Sequence, residues 1–259
     1  RSAARRHAML RVDLHAHTAD DPEDRVPFTA QDLIVHAATV GYGAISITLH
    51  DAAFDPAPLA AFARHHGVRL LPGVERTIER SHVLLINFPA AAAMAVRRLE
   101  DIAPLKAAHP HGLVVAPHPF YPIGSALGRR RLDAFAPLWD AIEVNALHVR
   151  GLDWNRAAIA WAAAHGRPLV GNGDVHRLTQ LGRTWSEVDV DVPPEMPDAD
   201  AANAICAAIR AGRVRVAGAP LSPWRAAVIF AQMVIGGIRF GSRGAPAAAL
   251  PPSSDADRL

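Results

Sequence analysis

Short apolar runs recur along the chain, separated by Ala-rich stretches, and most of them stop at a histidine or an acid. This recurrence constrains the fold more than any other feature. Val12-Asp13-Leu14-His15-Ala16-His17 comes first, followed by Ile45-Ser46-Ile47-Thr48-Leu49-His50 and Leu70-Leu71-Pro72-Gly73-Val74-Glu75. Leu113-Val114-Val115-Ala116-Pro117-His118 and Leu169-Val170-Gly171-Asn172-Gly173-Asp174-Val175-His176 complete the series. His82 departs from it by opening its run, Val83-Leu84-Leu85-Ile86. If the runs are parallel strands of one sheet, their ends meet on one rim.

Strands are predicted at 11–15, 44–49, 68–74, 82–87, 113–117, 141–145 and 168–173, and helices at 29–41, 56–66, 94–108, 130–138, 153–166 and 198–211. Thr29, with Asp32 three residues on, gives the first helix an N-terminal capping signal. Gly41, Gly67, Gly112 and Gly166 close helices or precede strands. Strands alternating with helices, and apolar on both faces, indicate a parallel sheet under helices. An open sheet would spread its strand ends over about 30 Å, at roughly 4.8 Å per strand. A closed sheet gathers them at the C-terminal face, where barrel enzymes work. The expectation is therefore an α/β fold, a distorted (β/α)7 barrel with a C-terminal apolar helix.

The expected organisation is a flexible arm at 1–10, a barrel domain at 11–220, an apolar helix at 221–240 and a disordered Pro/Ala/Ser-rich tail at 241–259. Trp224 to Phe240 is interrupted by Arg225, Gln232 and Arg239 and falls short of the ~20 residues of a spanning helix. Packing on the barrel is favoured for it. A homo-oligomer contact and a membrane-surface helix stay open. The stretch Arg1 to Arg11 is broken by charges and lacks a signal-peptide core, so the cytoplasm is the expected compartment. A formal charge of +2 gives no argument for a nucleic-acid partner. The single cysteine, Cys206, excludes a disulfide framework and shares a helical face with Ala202, Ile205 and Ile209.

His15 and His17 stand two apart, which on a strand puts both rings on one face, and Asp174 and His176 repeat the spacing. Imidazole and carboxylate suit zinc, manganese or iron. With His50, Glu75, His82 and His118 the candidates number eight, more than one ion needs. Two or three divalent ions are expected, with Glu75 as a bridge. Such a site points to hydrolysis of a phosphate ester.

These residues resemble the PHP (polymerase and histidinol phosphatase) superfamily of metal-dependent phosphoesterases. The motifs are Asp13-Leu14-His15-Ala16-His17-Thr18, Ile47-Thr48-Leu49-His50-Asp51, Gly73-Val74-Glu75, His82, Ala116-Pro117-His118-Pro119 and Gly173-Asp174-Val175-His176, in family order across about residues 10–218. The resemblance implies a first ion at His15, His17, Glu75 and Asp174, and a second at Glu75, His82 and His118. A third would sit at His50 and His176 with an acid after the first motif. It also implies a metal-activated water as nucleophile, with Asp13 and Asn145 supporting the ligands. The chain departs from the family twice. Leu49 stands where the second motif usually has an acid, and Pro22 where the acidic ligand is expected. Asp20, Asp21, Glu23 and Asp24 stand around it, and of these Asp21 is expected to serve as that ligand.

For the substrate, Arg129 of the triple arginine 129–131 is a candidate phosphate clamp, since arginine matches phosphate bidentately. His148, Arg150 and Arg76 are further candidates to face it. The favoured reading is a phosphoesterase acting on a small phosphorylated molecule or nucleotide. Two others stand beside it, a non-catalytic metal-binding regulatory module and a 3′-5′ exonuclease.

Overall fold

The computed structural model describes residues 9–149 and 153–219, with 221, 222, 224, 226–229 and 231. The tail at 241–259 and most of the arm at 1–10 lie outside these residues, as does Arg150. In chain order the elements are β1 (Leu10–Ala16), α1 (Ala30–Thr39), β2 (Ala44–Ile47), α2 (Ala60–His65), β3 (Arg69–Leu71), β4 (Gly73–Ile78), β5 (Ser81–Ile86), α3 (Ala90–Ala95), α4 (Ile102–Ala108), β6 (Leu113–Ala116), α5 (Gly128–Ala134), β7 (Ala141–Asn145), α6 (Asn155–His165), β8 (Leu169–Asn172), β9 (Thr184–Val188), α7 (Asp198–Arg210) and β10 (Val214–Gly218). Thr29 caps α1 through the expected reciprocal bonds with Asp32.

The closed parallel barrel does not form. The strands make two mixed sheets of five, ordered β10-β9-β1-β2-β3 and β4-β5-β6-β7-β8. The expectation failed on strand direction. Glu79 and Arg80, at φ 48° and 68°, make a two-residue turn between β4 and β5. Both residues lie in the left-handed region that a twisted hairpin requires, so β5 runs antiparallel to β4. It also runs antiparallel to β6. This reversal explains why His82 opens its run: the start of β5, not its end, lies beside Glu75. The strand expected at 68–74 is divided at Pro72, with its halves in different sheets. β9 and β10 were not expected at all. β9 lies antiparallel to β1, and β10 to β9.

The sheets approach each other at two seams, each carrying an isolated bridge: Ala16 with Val175, and His50 with Glu75. Side chains stitch the first seam. Asn172 Oδ1 accepts from Leu14 N at 2.9 Å, and Asp13 Oδ2 accepts from Gly173 N at 2.9 Å. Gly173 is required here, because a Cβ would come within 2.4 Å of Val175 Cγ2 and 3.0 Å of Asp13 Oδ2.

One buried cluster joins Val12 and Leu14 of one sheet, Leu84, Ile86 and Val115 of the other, and Ile205, Cys206 and Ile209 of α7. Two more lie under the helices, one around Trp139 and Trp161 and the other around Leu33, Ile34 and Ile47. Beyond β10, Trp224, 226–229 and Ala231 are helical, and Ile229 and Leu221 are buried together with Leu147 and Ala226 packed against them. The rest of the apolar stretch to 240 lies outside the described residues. Among those described, no helix is long and apolar enough to cross a membrane.

Candidate metal centre

Glu75 is the hub. It sits on β4, 1% exposed, with its backbone held by Leu49 O and its own carbonyl holding Asp51 N. Its Oε2 lies 3.1 Å from His15 Nε2, 3.3 Å from His17 Nε2 and 3.2 Å from His50 Nε2. Its Oε1 lies 2.6 Å from His82 Nδ1 and 3.3 Å from His118 Nε2. Asp174 Oδ1 closes the arrangement at 3.5 Å from both His15 Nε2 and His17 Nε2 and 3.4 Å from His176 Nδ1. Asp174 is the most open of these groups, its side chain 14% exposed, whereas His15 and His17 are fully buried.

Four triads of donor atoms lie within 4.8 Å of one another: His15, His17 and Asp174; His15, Glu75 and His118; His50, Glu75 and His82; and His17, His50 and His176. The structure therefore brings all eight expected residues together. It mixes the expected sets, with His50 joining Glu75 and His82, and His17 joining His50 and His176. The donor set fits divalent cations on an independent ground. His17 Nε2 and His82 Nδ1 are buried and find no hydrogen-bond partner of acceptable geometry, despite the short distances to Glu75. His118 Nδ1 is likewise unpartnered. Buried polar atoms are normally satisfied, and donors that crowd one centre without bonding one another are arranged for something between them.

Electrostatics agree. Burial alone would raise Glu75 and Asp174, yet the imidazoles around them hold both well below the usual carboxylate range. Burial alone would lower His15 and His17, yet their carboxylate neighbours hold both well above the usual imidazole range. His82 is the exception, since burial outweighs Glu75 and lowers it. The centre therefore favours positive charge. Local backbone is strained as well. His118 and Asp174, each just beyond a strand, have φ 27° and 47°, and such conformations cost about 1–3 kcal/mol and cluster at functional sites.

A ring of carboxylates stands behind the imidazoles. Glu143, fully buried on β7, accepts from His15 Nδ1 at 2.8 Å, His118 N at 3.2 Å, Asn145 Nδ2 at 2.9 Å and Asn172 Nδ2 at 3.0 Å. It thereby turns His15 Nε2 toward Glu75. Sequence reasoning missed Glu143. The available signal was Ile142-Glu143-Val144-Asn145, an acid inside an apolar strand on the same face as Asn145. Asp21 bonds His17 and His50, and Asp24 Oδ2 lies 3.0 Å from His176 Nε2.

Of the other expected residues, Asp13 and Asn145 contact the ligands, and Arg129 and Arg76 have partners outside the cluster. Asp13 accepts from His15 N and Gly173 N, and burial pushes its carboxyl up to about 7. It links β1 to β8 behind the cluster. Asn145 Nδ2 donates to Asp174 Oδ2 at 3.2 Å. His148 Nδ1 donates to Asn145 O at 3.1 Å. Arg129 lies over the Phe120 ring, 5.8 Å from its centroid. Arg76 is committed to Asp51 and to Val96 O. Leu49 packs in an apolar cluster, 4% exposed.

Residues 153–214 match the PHP-associated family, a stretch that includes Asp174 and His176. No curated protein matches the chain significantly. Solved structures share the fold at low identity. PsfC from Pseudomonas syringae is 19% identical with a TM-score of 0.65, over 88% of this chain and 98% of that one. A two-domain protein from Bacteroides vulgatus containing a predicted PHP-like metal-dependent phosphoesterase is 19% identical with a TM-score of 0.59, over 84% of this chain and 70% of that one. An amidohydrolase from Chromobacterium violaceum with bound sulfate and no metal is 18% identical with a TM-score of 0.50, over 64% of this chain and 87% of that one.

Proposed function

We propose that the chain is a PHP-type metal-dependent hydrolase that cleaves a phosphate ester of a small molecule or nucleotide, a reading supported by the match of residues 153–214 to the PHP-associated family. The observation that carries this reading is the buried convergence of His15, His17, His50, His82, His118 and His176 on Glu75 and Asp174. His15, His17, Glu75 and Asp174 would hold one divalent ion, Glu75, His82 and His118 a second, and His50 and His176 would contribute to a third. When bound, zinc, manganese or iron would supply the Lewis acidity that activates water and neutralises phosphate charge.

The chain's own residues prepare the site. Glu75 directs one oxygen to each half of the cluster, so it can serve both halves at once. Glu143 fixes the tautomer of His15, and carboxylates in this role sustain ligand basicity and orientation. Asn145 steadies Asp174 from the side away from His15. Burial of the imidazoles keeps bulk water from the centre and leaves Asp174 as its most exposed carboxylate. A phosphomonoester and phosphodiester panel with added zinc or manganese tests the proposal. Turnover should appear with metal and be lost in His15→Ala. Metal retained without turnover on any phosphoester would overturn it.

A further inference from the structure

Asp21 receives five donors. Its Oδ2 accepts from His17 Nδ1 at 2.8 Å and from both the backbone nitrogen and Nδ1 of His50, each at 3.0 Å. Its Oδ1 accepts from Glu23 N at 2.9 Å and Asp24 N at 3.0 Å. A carboxylate offers about four lone-pair sites, so Asp21 is saturated by the protein itself. The two imidazoles it holds turn their opposite nitrogens to Glu75 Oε2, at 3.3 Å for His17 and 3.2 Å for His50. Their rings stack with centroids 4.4 Å apart and planes 21° apart, as one clamped unit. The neighbouring position 49 is a buried leucine and offers no polar group to orient His50.

We propose that Asp21 is a positioning residue, a shared clamp that fixes His17 and His50 as Nδ1–H tautomers, and is not itself a metal ligand. This rests on reading the cluster as a metal centre. It makes an imidazole of the first position and one of the third depend on a single carboxylate. It also separates Asp21 from Asp24, whose Oδ2 faces His176 Nε2.

Two measurements test the assignment. The first is long-range proton–nitrogen NMR of the histidine rings in the zinc-loaded protein. Both His17 and His50 should carry the proton on Nδ1; a proton on Nε2 of either ring, or none on Nδ1, overturns the clamp. The second is zinc titration of Asp21→Asn against a chromophoric chelator. The variant should bind as many ions as the unmodified protein, with those held through His17 and His50 weakened about 10–100-fold. Loss of one ion with the others unchanged makes Asp21 a ligand, and unchanged affinity removes its role; either result overturns the proposal. The unmodified protein in the same titration shows whether the cluster binds zinc at all, which keeps failure of the metal reading distinct. If Asp21→Asn does not fold, the ring tautomers of the unmodified protein decide.

Discussion

Glu143→Ala is the most informative single perturbation of the support around the cluster. Glu143 is fully buried and accepts from His15 Nδ1, His118 N, Asn145 Nδ2 and Asn172 Nδ2. Truncation leaves these donors without their acceptor in a site closed to water. Hydrogen bonds to a charged group contribute about 1.5–3 kcal/mol each, but they share one carboxylate and do not add. Breaking a buried charged arrangement by removing one partner costs about 3–5 kcal/mol. For a chain of this size that corresponds to a fall in melting temperature of about 6–20 °C. Circular dichroism melts on chelator-treated protein isolate this cost from any metal effect. Glu143→Gln, which keeps one acceptor oxygen, should fall by less. In zinc-loaded protein either variant should also bind metal about 10–100-fold more weakly. A Glu143→Ala protein that melts within about 2 °C of the unmodified chain, roughly 1 kcal/mol or less, would refute the reasoning, because the four bonds would then carry no net stability.

Metal binding should weaken as pH falls. Burial works against protonation of His15 and His17, but Glu75 and Asp174 hold both above the usual imidazole range, so bound protons compete with the ion. Calorimetry in buffers of different ionisation enthalpy should show proton release; heats independent of buffer contradict this. Adding zinc at a hundredfold excess over its dissociation constant should stabilise the fold by about 2.7 kcal/mol, or about 5–11 °C, and chelation should reverse it. Burial pushes the Cys206 thiol up to about 12, so a disulfide reagent should leave it unmodified in the native protein and react once the chain is unfolded. Gly173→Ala should destabilise the fold and weaken metal binding, since the added methyl meets Val175 and Asp13; wild-type melting and affinity would show that the seam tolerates it.

Much of the centre was legible because its residues occupy strand ends, where composition and spacing both speak. The i, i+2 pairs His15/His17 and Asp174/His176 needed only the two-residue period of a strand. Strand direction was harder to read. The β4–β5 turn uses Glu79 and Arg80, which carry none of the Asn-Gly or Asp-Gly signal that normally marks such hairpins. Its only trace was His82 standing first in its run. Pro72 was similarly readable as an interruption but not as a change of sheet. β9, Thr184-Trp185-Ser186-Glu187-Val188, alternates buried and half-buried residues, a pattern too short to stand out beside the fully apolar runs. The carboxylates behind the imidazoles were least visible. Glu143 and Asp21 act through ring nitrogens 128 and 4 residues away, and only the fold sets those distances.

The central claim is that this histidine and carboxylate cluster is a multinuclear metal centre. Metal content per chain, measured by inductively coupled plasma mass spectrometry after reconstitution with zinc or manganese and removal of free ion, tests it most directly. The account predicts about two to three equivalents for the unmodified protein and a loss of metal in His15→Ala, since a single ion would leave donors unused. Less than about one equivalent in the reconstituted, folded protein would contradict it.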